Sequence, residues 1–351
     1  MPENTAPLKI LCFGMGAIGT YIGGSLAAAG HRLTYIEPAD NFQKSQTTNL
    51  KIKRQTGDIN ISGVKITSNL EAAFTEEKYD VALLAIKAFD TPNLLSSLLK
   101  YKGIVPTILC LQNGVENELM IESMLGEGSV IGASITTAVR RIGLGEVQLE
   151  KLRGVAIETR TPLAEHLISS FNQAGLKAMG YADRNSMKWS KMLTNLQVNA
   201  TSAILNLTPA EVLRNPISYK IEVMQLKEAL AVMKQMGIKI TDLPGTPVKL
   251  LIMSLANLPL TIGRYLVGIP LSKARGGKMP SLQIDLKAGR ERSEVEFLNG
   301  AIVRFGKKVG VATPINQVLS VTLIGMANGT IDKNLFYGKP DQLKMKIEDA
   351  S

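Results

Sequence analysis

Three polar residues recur four positions apart in the stretch Trp189-Ser-Lys191-Met-Leu-Thr-Asn195-Leu-Gln-Val-Asn199. Four residues advance an α-helix by slightly more than one turn, so a helix here puts Lys191, Asn195 and Asn199 on one face. An ammonium and two amides in a row can grip a polar ligand. The same row can be a solvated helix face, and taken alone the stretch favours that plainer reading. Further on, Pro280-Ser281-Leu-Gln-Ile-Asp precedes Ser293-Glu294-Val-Glu-Phe-Leu-Asn-Gly300. Ser293 has the chemistry of an N-cap, and Glu294 would lie in the first helical turn, where a carboxylate is favoured; capping is the ordinary explanation for it. The chain has two histidines, His31 and His166, and neither stands at the carboxyl end of an expected strand. No tyrosine has a lysine four residues later. The acid–base histidine of lactate-type dehydrogenases and the Tyr-x-x-x-Lys pair of short-chain dehydrogenases are thereby excluded, and a proton donor for carbonyl chemistry must come from elsewhere.

A second constellation lies near the N-terminus. Leu8 to Phe13 is a short apolar run, as in a buried parallel strand, and Gly14-Met15-Gly16-Ala17-Ile18-Gly19 follows at once in the spacing G-x-G-x-x-G. Gly14 permits the tight turn, Gly16 lets a pyrophosphate approach the backbone, and Gly19 lets the next helix sit close on a sheet. The free N–H groups of that helix would receive the phosphates. Leu33 to Ile36 reads as a second strand, with Glu37 at its end, where an acidic residue takes a ribose hydroxyl. The motif in this context points to dinucleotide binding. Residues 10 to 30 are also nearly free of charge, as in a membrane segment, but six glycines interrupt them and no basic n-region precedes them.

These residues need elements to position them. Tyr79–Ile86, ending at Lys87, and Thr107–Leu111, ending at Gln112-Asn113-Gly114, read as strands, with helices over 94–99 and 116–124. Strands alternating with helices imply a mostly parallel, doubly wound sheet, in which ligands lie beyond the carboxyl ends of the strands. Gly14, Lys87 and Asn113 occupy such ends and are expected to converge. Residues 129–158 suggest further strands, partly antiparallel, that extend this sheet. Pro162–Ala174 reads as a helix and Leu176–Met179 as a last strand. From Asp183 the texture becomes helical, over 184–205, 216–236 and 294–309. Pro244 to Pro280 is broken by prolines and suggests a partly helical lobe or lid. The expected fold is α/β: an N-terminal Rossmann-type doubly wound sheet over residues 1–182, followed by an all-α domain over 183–351.

Composition narrows the function. The chain has 351 residues and a formal charge of +10, which favours anionic partners. Aromatic residues are only 5% and no nucleic-acid motif appears, so an anionic cofactor and small substrate fit the charge better than nucleic acid. Cys12 and Cys110 both fall in apolar strands and read as core residues of a reducing compartment. With no export signal evident and no grouping of thiols with histidines, the expectation is a cytoplasmic protein with no membrane partner and no metal.

The ordered set of motifs resembles the ketopantoate reductase family (2-dehydropantoate 2-reductase) over roughly residues 8–325. The markers are the glycine turn, Ile-Lys87-Ala, Leu-Gln-Asn113-Gly-Val, Trp-x-Lys191-x-x-x-Asn195-x-x-x-Asn199, Pro-Ser281-Leu-x-x-Asp, Ser-Glu294-Val-Glu-x-Leu-Asn-Gly and Gly310-Val-Ala-Thr-Pro. The resemblance implies a two-domain enzyme that reduces 2-dehydropantoate to pantoate with NADPH, on the route to pantothenate and coenzyme A. It implies Lys191 as general acid and Glu294 as a ligand of the substrate's hydroxyl or carbonyl side. It implies Asn195, Asn199 and Ser281 as substrate ligands, with Lys87 and Asn113 between cofactor and substrate. Two departures stand out. Glu37-Pro38 replaces the arginine that meets a 2′-phosphate in many members, which admits NADH in place of NADPH unless Lys44 or Arg54 substitutes. The long segment 244–280 beside Ser281 bears on the substrate. The alternatives are a related 2-hydroxyacid or β-hydroxyacid dehydrogenase with a different 2-oxo acid, and a non-catalytic NAD(P)-binding sensor. A homodimer is compatible with either enzyme reading.

Overall fold

A computed structural model describes residues 6–38, 40, 41, 49–269 and 279–350. It divides into two compact units, one of residues 1–188 with 243–246 and one of residues 189–242 with 247–351. The division falls inside a helix, six residues beyond the expected boundary at 182/183, and the short Leu243–Thr246 segment joins the first unit.

In the first unit β1 (Lys9–Phe13), α1 (Ala17–Ala28), β2 (Arg32–Ile36), β3 (Leu50–Lys53), β4 (Ile59–Ile61), β5 (Lys65–Thr67) and α2 (Leu70–Glu76) come first. They are followed by β6 (Val81–Leu84), α3 (Thr91–Leu98), β7 (Ile108–Cys110), α4 (Asn117–Leu125) and β8 (Val130–Ile135). Last come β9 (Ala138–Gly143), β10 (Glu146–Lys151), β11 (Val155–Glu158), α5 (Pro162–Gln173) and β12 (Ala178–Tyr181). The main sheet runs β12-β11-β8-β7-β6-β1-β2-β5. Its pairings are parallel except β11 on β8.

Alternation along β1 shows why this sheet has two covered faces. Ile10 and Cys12 enter one core, with Tyr21, Ile22 and Leu26 of α1 and Phe171 of α5. Leu11 and Phe13 enter another, with Phe74, Leu95, Leu98, Ile121 and Leu125 from α2, α3 and α4. Successive side chains of a strand point to opposite faces, so an uninterrupted apolar run demands helices on both sides. Cys12 and Cys110 are free, buried and in different cores.

Not all of residues 129–158 extends the sheet. β8 and β11 do, but β9 and β10 form a hairpin that joins β3 and β4 in a separate four-stranded sheet, ordered β4-β3-β10-β9. Leu50, Ile52 and Ile61 of this small sheet pack on α1 at Gly24. The elements between 50 and 76 had no clear reading in the sequence.

The second unit is helical. α6 (Arg184–Leu196) crosses the division. It is followed by α7 (Asn199–Leu205), α8 (Pro209–Arg214), α9 (Pro216–Gln235), α10 (Val248–Asn257) and α11 (Leu260–Gly263), then by α12 (Ser281–Lys287), α13 (Asn299–Val309), α14 (Pro314–Ala327) and α15 (Pro340–Glu348). α9 carries buried residues along its length. Trp189 is 2% exposed and meets Phe305 edge-on, with ring centroids 5.3 Å apart. A polar network of Gln225, Glu228, Asn299 and Asn316 crosses this core, with the Glu228 carboxylate accepting from the Ile315 and Asn316 amides at the start of α14. The proline-broken segment contains α10 and α11, and residues 270–278 of it lie outside the described residues.

Two expected helices are interrupted. The run 184–205 breaks at Val198, which takes the left-handed conformation at φ 52°, and its amide donates to Glu222 Oε2 at 2.6 Å. The run 294–309 begins as a 3-10 turn over Glu294–Phe297 and breaks at Leu298 before α13.

Candidate active site

The glycine turn shows three different demands on three glycines. Gly14 has φ +97°, a conformation side chains rarely adopt. A Cβ on Gly19 would lie 1.9 Å from the Gly14 carbonyl oxygen, so no side chain fits where α1 meets the turn. A Cβ on Gly16 would meet nothing within 4 Å. Gly16 is also the N-cap of α1, without a side-chain cap, and no acidic residue occupies the first turn. The turn thus offers open space and uncapped N–H groups of positive potential, which fits a dinucleotide pyrophosphate. Beneath it, Tyr35 Oη donates to Gly19 O at 2.8 Å and closes α1 onto the sheet.

Glu37 is 6% exposed. One carboxylate oxygen accepts from the Met15 amide, inside the glycine turn, and the other from Asn41 Nδ2 at 3.1 Å. The nearby Cys12 thiol is pushed up, first by burial and then by the Glu37 charge. Arg54 is committed to its own turn, its Nε donating to Gly57 O at 2.8 Å. Lys44 lies outside the described residues.

The other strand ends adjoin this turn within the first unit. A Cβ on Gly14 would meet Ile86 at 2.9 Å, one residue before Lys87. Gln112 ties the next loop to the same place: its Nε2 donates to Ile86 O at 2.9 Å and to Thr91 Oγ1 at 2.8 Å. Asn113 follows, its side chain exposed, its carbonyl accepting from Asn117 Nδ2 at 2.8 Å, with Gly114 at φ +96° completing the bend. The loops carrying Gly14, Lys87 and Asn113 therefore form one continuous rim, as expected from their strand-end positions.

Two ion pairs, one buried and one part-buried, join α4 to α6 behind that rim, and the sequence reading missed them. Arg184 forks onto Glu122 at 2.9 and 3.1 Å, and Lys188 Nζ meets Glu118 Oε1 at 2.8 Å. Both pairs join residues four apart on α4 to residues four apart on α6. The signal was the i, i+4 repeat of acids on one helix and bases on another, but they lie more than sixty positions apart in the chain.

In the second unit, α6 carries Lys191 and Asn195 on one face, both half-buried. Asn199 does not continue that stripe, because the break at Val198 starts a new helix. Instead it turns to α12: its Oδ1 accepts from the Leu282 amide at 3.1 Å, and its Nδ2 lies 3.5 Å from Ser281 Oγ. Glu294 is 8% exposed, and Ser293 caps the turn by accepting from the Val295 amide at 3.3 Å. Among the described residues there is no cluster of His, Cys, Asp and Glu able to hold a metal, and no helix is long and apolar enough to cross a membrane.

A doubly wound sheet with an open glycine turn, followed by a helical unit bearing a lysine–asparagine face, defines a nicotinamide-dependent class of oxidoreductase. Within that class the chain belongs to the ketopantoate reductase family: the family Ketopantoate reductase PanE/ApbA matches residues 10–161, and its C-terminal counterpart matches residues 183–327. The chain is similar to the 2-dehydropantoate 2-reductase of Pyrococcus horikoshii, with 28% identity over 318 residues, spanning 89% of this chain and 95% of that protein. It is also similar to the 2-dehydropantoate 2-reductase of Archaeoglobus fulgidus, with 25% identity, spanning 92% and 98% of the two chains. Among solved structures, a PanE/ApbA family ketopantoate reductase from Ralstonia eutropha JMP134 superposes with a TM-score of 0.76 at 28% identity, over 92% of this chain and 99% of that one. A D-mandelate dehydrogenase in complex with NADH and anilino(oxo)acetate shares the fold, with a TM-score of 0.73 at 22% identity over 92% and 99% of the two chains.

Proposed function

We propose that this chain reduces 2-dehydropantoate to (R)-pantoate, as the names of its relatives suggest, in pantothenate and coenzyme A biosynthesis. The observation that carries this reading is the presence, in one chain related to those enzymes along 89% of its length, of the open glycine turn together with Lys191, Asn195, the Asn199–Ser281 pair and Glu294. A bound reduced nicotinamide supplies the hydride. Gly14 to Gly19 hold the pyrophosphate on the N-terminus of α1, and Lys87 and Asn113 line the rim beyond it. As negative charge builds on the ketone oxygen, the Lys191 ammonium stabilises it and delivers a proton from Nζ. Asn195, Asn199 and Ser281 hold the polar substrate, and Glu294 accepts from its hydroxyl.

Glu37 sets the cofactor preference. A 2′-phosphate would face a buried carboxylate already bonded to the glycine turn, whereas a ribose hydroxyl can donate to it, so NADH is favoured over the NADPH that the family resemblance implies. Steady-state assays with 2-dehydropantoate, a panel of other 2-oxo acids and each reduced nicotinamide test the whole reading. The expected result is highest kcat/KM for 2-dehydropantoate with NADH. Preference for another 2-oxo acid would make the chain a related 2-hydroxyacid dehydrogenase, absence of any hydride transfer would make it a sensor, and an NADPH preference would remove the role of Glu37.

A further inference from the structure

Lys188 is 4% exposed, yet its ammonium makes three polar contacts: Gln112 O at 2.7 Å, Ala133 O at 3.1 Å and Glu118 Oε1 at 2.8 Å. Two of its donors are matched by hydrogen bonds to main-chain carbonyls, and Glu118 Oε1 stands beside it as an ion-pair partner. Burial alone would lower its pKa, but the Glu118 charge, the neighbouring Cys110 and the hydrogen bond to Glu118 together outweigh it and hold it above the ordinary lysine value. The Glu118 side chain is itself 3% exposed.

The two partners bracket one loop. Gln112 O is the last carbonyl before Asn113, and Glu118 lies in the first turn of α4, just after Asn117 bonds back to the Asn113 carbonyl. One buried cation therefore fixes both ends of the bend 112–118. The side chain of Gln112 carries the same constraint to Ile86 O, beside Lys87. A buried ion pair contributes little net stability compared with apolar residues of the same size. Its physical consequence here is geometric, since directional bonds to two carbonyls, with a carboxylate held at 2.8 Å from the same ammonium, define the loop more narrowly than apolar contact would.

We propose that Lys188 and Glu118 are positioning residues: they hold the 112–118 bend so that the Asn113 side chain keeps its place at the carboxyl end of β7, and they act on the reaction only through Asn113. This rests on the reading above that Asn113 serves the cofactor and 2-oxo acid.

The test replaces the pair by apolar residues, Lys188→Met with Glu118→Leu, so that no lone charge is left buried. The expected outcome is a folded protein with near-normal Tm, kcat/KM lower by about 10- to 100-fold, the cost of a small misplacement of a reacting group, and faster amide exchange confined to residues 112–118. Placed on Asn113→Ala, the same double replacement should add no further kinetic loss, because coupled residues are not additive. Unchanged kcat/KM in the folded double variant, or a full additional loss on Asn113→Ala, overturns the proposal. Lys188→Arg keeps the charge but changes the donor geometry; it should show a partial loss and serves if the double variant does not fold, with wild-type kinetics in it counting against the proposal. If the wild-type protein reduces no 2-oxo acid, the functional reading fails separately. Loop exchange and the Kd for NADH then decide the positioning role, and no change in either overturns it.

Discussion

Gly16 and Gly19 lie three residues apart and answer an added methyl group in opposite ways. At Gly19 the new Cβ would lie 1.9 Å from a backbone oxygen of Gly14, which cannot move without opening the turn. Gly19→Ala should cost about 3 kcal/mol or more, at the upper end of overpacking penalties, seen as a lower urea midpoint. At Gly16 the Cβ meets open space and φ is −76°, so Gly16→Ala should fold with an unchanged midpoint. Its methyl would stand where the pyrophosphate approaches, so NADH affinity should fall about 10-fold or more, read by nicotinamide fluorescence. Equal nucleotide affinity in the two proteins would contradict the turn's role. Lys191→Ala should lose about 10²- to 10⁴-fold in kcat, the usual weight of a general acid, with NADH affinity preserved; near-normal turnover would remove Lys191 from the mechanism. The glycines and Lys191 were legible because their meaning lies in short spacings. Lys188 and Glu118 were not, since they are 70 positions apart and the lysine's other partners are main-chain carbonyls that no residue type announces.

At the scale of elements, β1 is joined to β2 by more than its ladder. His31 Nδ1 accepts from the Leu8 amide at 3.0 Å, so the neutral ring carries its proton on Nε2, which is buried without a hydrogen-bond partner among the described residues. Burial lowers the His31 pKa below 6.5, and the His166 charge lowers it further. The folded state therefore binds fewer protons than the unfolded state below pH ~6.5, and stability must fall as pH drops through that value towards the folded pKa. Urea unfolding at pH 7, 6 and 5 should show this decline, and His31→Gln should flatten it; identical slopes would exclude His31 as the cause. The long apolar strands of the main sheet were legible from sequence because a sheet covered on both faces needs unbroken apolar runs. β3, β4 and β5 were not: each has three or four residues, with polar residues alternating, β3 and β4 in the small second sheet and β5 at the edge of the main one. The break at Val198 was equally hidden. A β-branched residue in the left-handed region is strained and gives no local signal, and here a distant carboxylate, Glu222, receives its amide. That break is why Asn199 leaves the Lys191 stripe and reaches Ser281 instead.

For the molecule as a whole, the formal charge of +10 is large for a protein whose proposed ligands are all anions. Reduced nicotinamide dinucleotide carries a pyrophosphate and a 2-oxo acid carries a carboxylate, so both diffuse in a field that attracts them. Such steering acts on encounter and not on the bound state. Raising ionic strength from about 10 mM to about 300 mM shortens the screening length from roughly 30 Å to under 10 Å. The expected result is that kcat/KM for 2-dehydropantoate falls about 3- to 10-fold over that range while kcat stays constant. The contrast separates this effect from general inhibition by salt, because chemistry after binding does not depend on long-range attraction. A kcat/KM independent of salt would mean that the excess basic residues are an ordinary solvated surface with no part in capture. A parallel fall in kcat would mean instead that salt acts on the site itself, on contacts such as those of the Lys191 ammonium, and the two outcomes are told apart by the same titration.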